Sequence, residues 1–224
     1  MILDVPLASI VLLGASGLVA ALAAGPMGKL VKAGIGEDDV LLQDHAVAVT
    51  SKGRWTVGLI VGAIAALYLA LAPAAADAWT LSFFLMLMTA IALVDLETTF
   101  IPDVLSVPLL LGGIAFSPFS EGPSDGAAGA LLAWGLMAAS FLAVSLRRRE
   151  FVYSGGDAIL AAAGGSIVGL AGVPPFLLVC GVTTLILFAM PAMAERRMPW
   201  GPVMCISIAA TAAGGLGFFF KPLA

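Results

Sequence analysis

Long apolar runs separated by short polar gaps make up most of this 224-residue chain. The runs cover residues 7–25, 56–75, 78–94, 104–118, 126–146, 158–173, 175–193 and 202–220. Several are close to the ~20 residues that a helix needs to span a hydrocarbon core. Lipid cannot satisfy backbone polar groups, and no run alternates as a barrel strand does. The pattern therefore predicts an all-α polytopic membrane helix bundle with about eight transmembrane helices.

Composition agrees with lipid as the solvent for most of the chain, because 61% of its residues are hydrophobic and only 11% are charged. A net charge of -4 and the lack of a basic stripe argue against a nucleic acid partner. The longest polar stretch, residues 26–55, is too short for a soluble domain. We therefore expect a single membrane domain over residues 1–224. Its first helix and a short cytoplasmic loop fill residues 1–55, and its core fills residues 78–220.

The positive charges predict how the chain is threaded. The stretch before the first run carries Asp4 and no positive side chain, which favours an uncleaved helix with its N-terminus outside. Eight spans then leave nine of the ten Lys and Arg residues on the cytoplasmic side, and only Lys221 on the outer side. The nine are Lys29, Lys32, Lys52, Arg54, Arg147, Arg148, Arg149, Arg196 and Arg197. This is a strong positive-inside bias.

Two of the gaps on that side carry the acids that are candidates for chemistry. The gap 95–103 contains Asp95, Glu97 and Asp103, and Asp157 begins the run after the gap 147–157. The simplest interpretation is structural: Asp95 is a helix-terminal charge reaching water, Glu97 is solvated surface, and Asp103 and Asp157 cap the helices that follow. Asp95 fits this poorly, since an acid at a helix C-terminus opposes the macrodipole.

A catalytic role would account for the acids in both gaps at once. An aspartic protease activates water with one carboxylate while a second, protonated one donates to the peptide carbonyl, and two neighbouring carboxyls share the proton. Asp95 and Asp157 meet the requirement for one acid from each of two helices, and Gly155-Gly156 would let a substrate backbone approach. Other nucleophiles fit poorly. His45 is the lone histidine, and Cys180 and Cys205 lie in apolar runs, where we expect them to pack as small hydrophobes. No metal or cofactor is predicted.

The motifs resemble those of the type IV prepilin peptidases, which are membrane aspartic proteases with a Gly-x-Gly-Asp motif. The resemblance is carried by Asp95-x-Glu97-x-x-x-Ile101-Pro102-Asp103-x-x-x-x-Pro108, by Gly155-Gly156-Asp157, and by Met198-Pro199-Trp200-Gly201-Pro202 before the last run. It covers about residues 78–220, which would then be the peptidase core.

The resemblance implies that Asp95 and Asp157 are the catalytic pair at the cytoplasmic face of the bacterial inner membrane, with Glu97, Pro102, Asp103, Gly155 and Gly156 supporting substrate binding. It implies as substrate the leader of a prepilin or pseudopilin, cut at a glycine just before its hydrophobic helix. The basic leader would be attracted to an acidic rim of Glu97, Asp103 and Glu150.

Three departures from the family pattern stand out. Ser154 replaces the first motif glycine, and Ile159 replaces a lysine that is common two positions after the second aspartate. Full-length members also carry a cysteine-rich cytoplasmic insert that is linked to N-methylation of the mature pilin. The corresponding loop here, residues 26–55, is short and lacks cysteine. We therefore expect a peptidase without methyltransferase activity.

Two alternatives stay open at this point. In a transporter, Asp95, Glu97, Asp103 and Asp157 would bind a proton or a divalent cation, although such acids usually lie near the bilayer midplane rather than at one edge. An inactive scaffold would account for the altered positions 154 and 159.

Overall fold

The structure, a computed structural model, describes residues 7–34, 53, 56–57, 78–151, 153–188 and 199–214. Within these ranges every regular element is an α-helix, which confirms the predicted class. The helices are α1 (Leu7–Gly34), α2 (Ala78–Thr98), α3 (Asp103–Phe116), α4 (Pro123–Arg148), α5 (Gly155–Phe188) and α6 (Trp200–Gly214).

The first helix is longer than its apolar run indicates. The prediction ended it at residue 25, but α1 continues through Pro26 to Gly34. Pro26 removes one backbone donor, a loss that membrane helices tolerate when neighbouring groups satisfy the freed carbonyl. The predicted start of the cytoplasmic loop at residue 26 is therefore wrong. Residues 35–55, apart from Gly53, lie outside the described part of the chain.

Helix α5 contains a sharp break at Gly169, whose backbone angles (φ 72°, ψ 175°) are not helical. A Cβ on Gly164 would contact the Phe176 ring, and Asp157 is close enough to Cys180 for their charges to interact. In a straight helix these pairs would lie ~18 Å and ~34 Å apart along the axis, at 1.5 Å per residue. The segments 155–168 and 170–188 therefore fold back on each other.

The prediction of two helices in this region, 158–173 and 175–193, placed the boundary at the wrong residue. The chain reverses at Gly169, not at Pro174-Pro175. A left-handed φ requires glycine, whereas proline is accommodated near the start of the segment that follows.

By length and composition, three apolar helical stretches in the described ranges are long enough to cross a bilayer: Trp79–Thr98, Pro123–Arg148 and Gly155–Leu187. The break at Gly169 divides the last of them into two shorter segments. Shorter apolar helices cover Ala15–Val31, Asp103–Phe116 and Trp200–Ala212. The predicted run 56–75 lies outside the described residues except for its first two, as does the end of the run 202–220 beyond residue 214. These helices support a membrane protein, and the number of eight spans stays a prediction.

The chain divides into two compact units, and the first comprises Met1–Leu105 and Glu195–Pro202. Its described core joins α1 to α2 through the buried side chains of Ala21, Ala24, Leu93 and Val94. Small alanine side chains allow the two helix backbones to approach closely where lipid offers no hydrophobic driving force. This packing holds the last turns of α2 against α1.

The second unit comprises Ser106–Ala194 and Val203–Ala224. In it α4 packs against the first segment of α5. Residues with higher numbers in α4 contact residues with lower numbers in and next to α5. The Leu170 N–H donates to Asp125, a Cβ on Gly165 would meet the backbone of Gly129, and the rings of Tyr153 and Phe141 lie 5.7 Å apart. The two helices are therefore antiparallel, which places the loop 149–154 and Asp157 at one end and the break at Gly169 at the other.

Candidate active site

Asp95 lies in the last turn of α2 and is only 3% exposed. The backbone N–H of Gly201, in the first turn of α6, donates to Asp95 Oδ2 at 2.7 Å. The first amides of a helix have no acceptor within the helix, so this carboxylate satisfies a donor that would otherwise be unpaired. The interpretation of Asp95 as a terminal charge reaching water is therefore wrong, because the side chain is enclosed.

The backbone stops being helical directly after this turn. The Thr99 N–H donates to the Asp95 carbonyl at 2.7 Å, and Thr98 Oγ1 both donates to the Val94 carbonyl at 2.7 Å and accepts the Phe100 N–H at 3.2 Å. Thr99 itself has φ 53°, an outlying conformation for a β-branched residue. Threonine hydroxyls and one left-handed residue thus end α2 within four residues of Asp95.

Glu97 was expected to be a solvated charge of an acidic rim, and the structure contradicts this because the residue is 6% exposed. A Cβ added to Gly28 of α1 would lie 3.0 Å from Glu97 Oε2, so the carboxyl group packs against that glycine. Residues two apart point to nearly opposite sides of a helix. Asp95 and Glu97 therefore face different neighbours, and the proposed role of Glu97 in substrate binding stays a prediction.

Pro102 and Asp103 connect α2 to α3. Pro102 is buried, and its carbonyl accepts the Leu105 N–H at 3.0 Å. Asp103 is exposed and is the first residue of α3, where its charge suits the positive end of the helix dipole. Asp103 was expected to cap the helix that follows, and the structure has it as the first residue of that helix. Support of a substrate by Pro102 or Asp103 stays a prediction.

Asp157 is the third residue of α5 and is half-buried. Its side chain is hydrogen-bonded to that of Ser154, whose carbonyl accepts the Ala158 N–H at 3.2 Å. A Cβ on Gly155 would meet only the Tyr153 ring, at the ordinary distance of 3.7 Å. Packing against the residues that the structure describes therefore does not require a glycine at 155. The predicted approach of a substrate backbone is one use for it. Gly156, beside it, is also half-buried.

Two cysteines were expected to pack as small hydrophobes, and both Cys180 and Cys205 are buried and free of disulfides. Cys180 also has polar neighbours, since its thiol reaches the hydroxyls of Thr184 and Ser207. Because α5 folds back at Gly169, Cys180 comes near Asp157 from a position 23 residues later in the chain. The surroundings of Asp157 thus include the second segment of α5.

Two residues were missed as site residues: Ser154, which contacts Asp157, and Gly201, which contacts Asp95. From the sequence, Ser154 was considered only as a replacement of the first motif glycine. The spacing Ser-x-x-Asp is, however, the one at which a helix-capping serine meets an acid in the first turn of the helix. Gly201 stood in a motif without an assigned role, and no local signal in the sequence connects it to Asp95, 106 residues away.

The described residues give little support to a shared cation site. Among them, no group of three or more His, Cys, Asp or Glu side chains lies close enough together to hold a metal ion. Asp95 and Glu97, the two nearest acids in sequence, face Gly201 and Gly28 respectively.

Comparison with known protein families gives a match over the middle of the chain. Residues 82–190 match the model of the type IV leader peptidase family, and the match contains both Asp95 and Asp157. It is shorter at each end than the expected 78–220, so Gly201 and its motif lie beyond it. No curated protein and no solved structure matches the chain significantly. The segment from residue 82 to residue 190 belongs to the type IV leader peptidase family.

Proposed function

We propose that the protein is a membrane aspartic endopeptidase that removes the leader of type IV prepilin or pseudopilin-like substrates, with Asp95 and Asp157 as the catalytic pair. The observation that carries the proposal is the family match over residues 82–190, which contains both aspartates. Its support from the fold is that each acid lies in the terminal turn of an apolar helix, the last turn of α2 or the first turn of α5.

The reaction needs one ionised and one protonated carboxyl group. The ionised group takes a proton from water as the water oxygen attacks the scissile carbonyl carbon, and the protonated group donates to the carbonyl oxygen. The tetrahedral intermediate then collapses and the C–N bond breaks: the carboxyl group that took a proton from water passes it to the leaving nitrogen, and the other carboxyl group regains a proton from a hydroxyl of the intermediate. No cofactor enters this scheme, and the two carboxyl groups return to their starting protonation.

The enclosure of Asp95 and the Ser154 partner of Asp157 suit this chemistry. A buried carboxylate with a fixed hydrogen bond has a defined position, and removal of bulk water strengthens every electrostatic interaction around it. The Ser154 hydroxyl orients the second acid from the preceding turn. Ser154 thus supplies a contact that a glycine at this position could not make.

A substrate of the proposed kind would lie in the bilayer through its hydrophobic helix, with its basic leader in the cytoplasm. Of the acidic rim expected for that leader, Asp103 and Glu150 are exposed, whereas Glu97 is not. We therefore assign attraction of the leader to Asp103 and Glu150. The proposed location is the bacterial inner membrane, with the N-terminus outside and the site at the cytoplasmic face.

Co-expression with a prepilin tests the function. We expect the wild type to cut the leader at the glycine before the apolar helix, and both Asp95→Asn and Asp157→Asn to leave the substrate unprocessed. Glu121→Gln is the matched control, because this exposed acid lies outside the proposed machinery. Full processing by either aspartate variant would refute the assignment. Mass spectrometry of the mature product should show an unmethylated N-terminus when this is the sole processing enzyme, since the loop after α1 has no cysteine-rich insert.

A further inference from the structure

The segment Met198-Pro199-Trp200-Gly201-Pro202 has no role in the scheme above, yet it supplies a direct contact to one of the two proposed catalytic acids. We propose that Gly201 is a positioning residue for Asp95, acting through its backbone N–H and through its missing side chain. The inference rests on the proposed function, because it gives Gly201 a part in catalysis through Asp95.

The first observation is the hydrogen bond. The Gly201 N–H donates to Asp95 Oδ2 at 2.7 Å, which is short for a nitrogen donor and typical of a charge-assisted bond. Gly201 is the second residue of α6, so its N–H has no acceptor in its own helix. Fixing one carboxylate oxygen in this way sets the rotation of the whole group.

The second observation is the space that glycine leaves. A Cβ at position 201 would lie 2.9 Å from both Asp95 Cβ and Asp95 Oδ2, and 3.1 Å from Asp95 Cγ. All three are closer than ordinary carbon contacts, so a side chain here would push the Asp95 side chain and the start of α6 apart. The φ angle of Gly201 is not among the left-handed ones, so the demand for glycine at this position is one of space and not of backbone conformation.

Displacement of a catalytic carboxyl group has a predictable kinetic signature. A shift of ~1 Å in a group that must meet water and substrate can reduce the rate ~100-fold. Substrate binding through the hydrophobic helix and the basic leader would be unaffected, because Gly201 makes its contact with Asp95 and not with those surfaces. The effect should therefore appear in kcat and not in KM.

Gly201→Ala is the decisive variant, measured as leader cleavage by the purified full-length protein in detergent or vesicles. We expect kcat to fall ~100-fold while KM stays within about twofold of wild type. The matched control is Gly135→Ala in α4, where a Cβ would have nothing within 4 Å and wild-type kinetics are expected. A Gly201→Ala protein with wild-type kcat, or one in which only KM changes, would overturn the inference.

Hydrogen exchange tests the contact without relying on activity. The Gly201 amide should exchange slowly in the wild type and at least ~10-fold faster in Asp95→Ala, because this variant removes its acceptor. Unchanged exchange would overturn the inference, and this result decides the matter if Gly201→Ala does not fold. The two proposals fail differently: a wild type that cleaves no prepilin refutes the function, whereas active wild type with unaltered Gly201→Ala kinetics refutes only the role of Gly201.

Discussion

At the scale of single residues, the acids of this chain differ by the groups that surround them. Asp95 is enclosed beside Gly201, Glu97 packs against Gly28, and Asp103 is exposed. Asp125, in the first turn of α4, has a structural use: its Oδ1 accepts the Leu170 N–H at 3.1 Å and its Oδ2 accepts the Glu121 N–H at 3.0 Å. It therefore caps the second segment of α5 from a different helix.

We predict that Asp125→Ala lowers the free energy of unfolding by about 1–2 kcal/mol, since it removes a capping acceptor and a negative charge at a helix start. Thermal unfolding in detergent micelles measures this. Ser124→Ala, at an exposed position in the same turn, should change stability by less than ~0.5 kcal/mol. Equal stability of the two variants would mean that Asp125 does not hold the start of this segment.

At the scale of helices, glycines determine where backbones meet. Gly165 in α5 faces Gly129 in α4, and an added Cβ at either position would collide with the backbone of the other. Gly164, one residue earlier, faces the Phe176 ring and Ile208 of α6. This part of α5 thus contacts α4, its own second segment and α6, all within the second unit.

Gly165→Ala is accordingly predicted to cost about 1–3 kcal/mol of stability, because backbone atoms cannot move aside as a flexible side chain can. A Cβ there would also lie 2.7 Å from Ala133 Cβ. The melting temperature of Gly165→Ala should therefore fall relative to both wild type and Gly135→Ala, whose Cβ enters open space. A Gly165→Ala protein as stable as Gly135→Ala would contradict the described packing of α4 on α5.

Apolar runs predicted the helical class and the approximate positions of the described helices, but not the end of α1 or the break in α5. The positions of Asp95 and Asp157 at helix ends followed from where those runs stop. The contacts between distant segments could not be predicted. Glu97 is buried against a glycine in α1, which no pattern near Glu97 indicates. The break in α5 lies at Gly169, which has a left-handed φ, whereas the sequence indicated a helix boundary at the two prolines nearby. The partner of Asp95 lies in α6, beyond the reach of any local pattern.

At the scale of the whole chain, the contacts within each unit connect polar gaps between the apolar runs. In each unit, the connected gaps are ones that the predicted threading places on the same side of the membrane. In the first unit, Asp95 meets Gly201, which links the gap after α2 to the gap before α6. In the second unit, Ser117 Oγ donates to the Ile167 carbonyl at 2.6 Å, and Asp125 accepts the Leu170 N–H. The end of α3, the start of α4 and the break in α5 therefore lie together.

Cysteine labelling in intact cells and in inverted vesicles tests the threading. We predict that Asp103→Cys and Glu150→Cys react with a membrane-impermeant maleimide only from the cytoplasmic side, and Glu121→Cys only from the outside. All three positions are exposed, and the native Cys180 and Cys205 are buried, so background labelling should be low. The critical element is α3, whose 14 residues extend only ~21 Å and can cross only where the bilayer is locally thinned. Labelling of Asp103→Cys and Glu121→Cys from the same side would place Asp95 and Asp157 at opposite faces.

The central claim is that Asp95 and Asp157 act as one catalytic unit, and the rate of leader cleavage by the two single variants and the double variant tests it most directly. If they form one unit, Asp95→Asn, Asp157→Asn and the double variant should each lose at least ~1,000-fold in kcat, with the double variant no slower than the slower single one, because groups that act together are strongly non-additive. A single variant that keeps more than about a tenth of wild-type kcat, or losses that multiply in the double variant, would contradict the account.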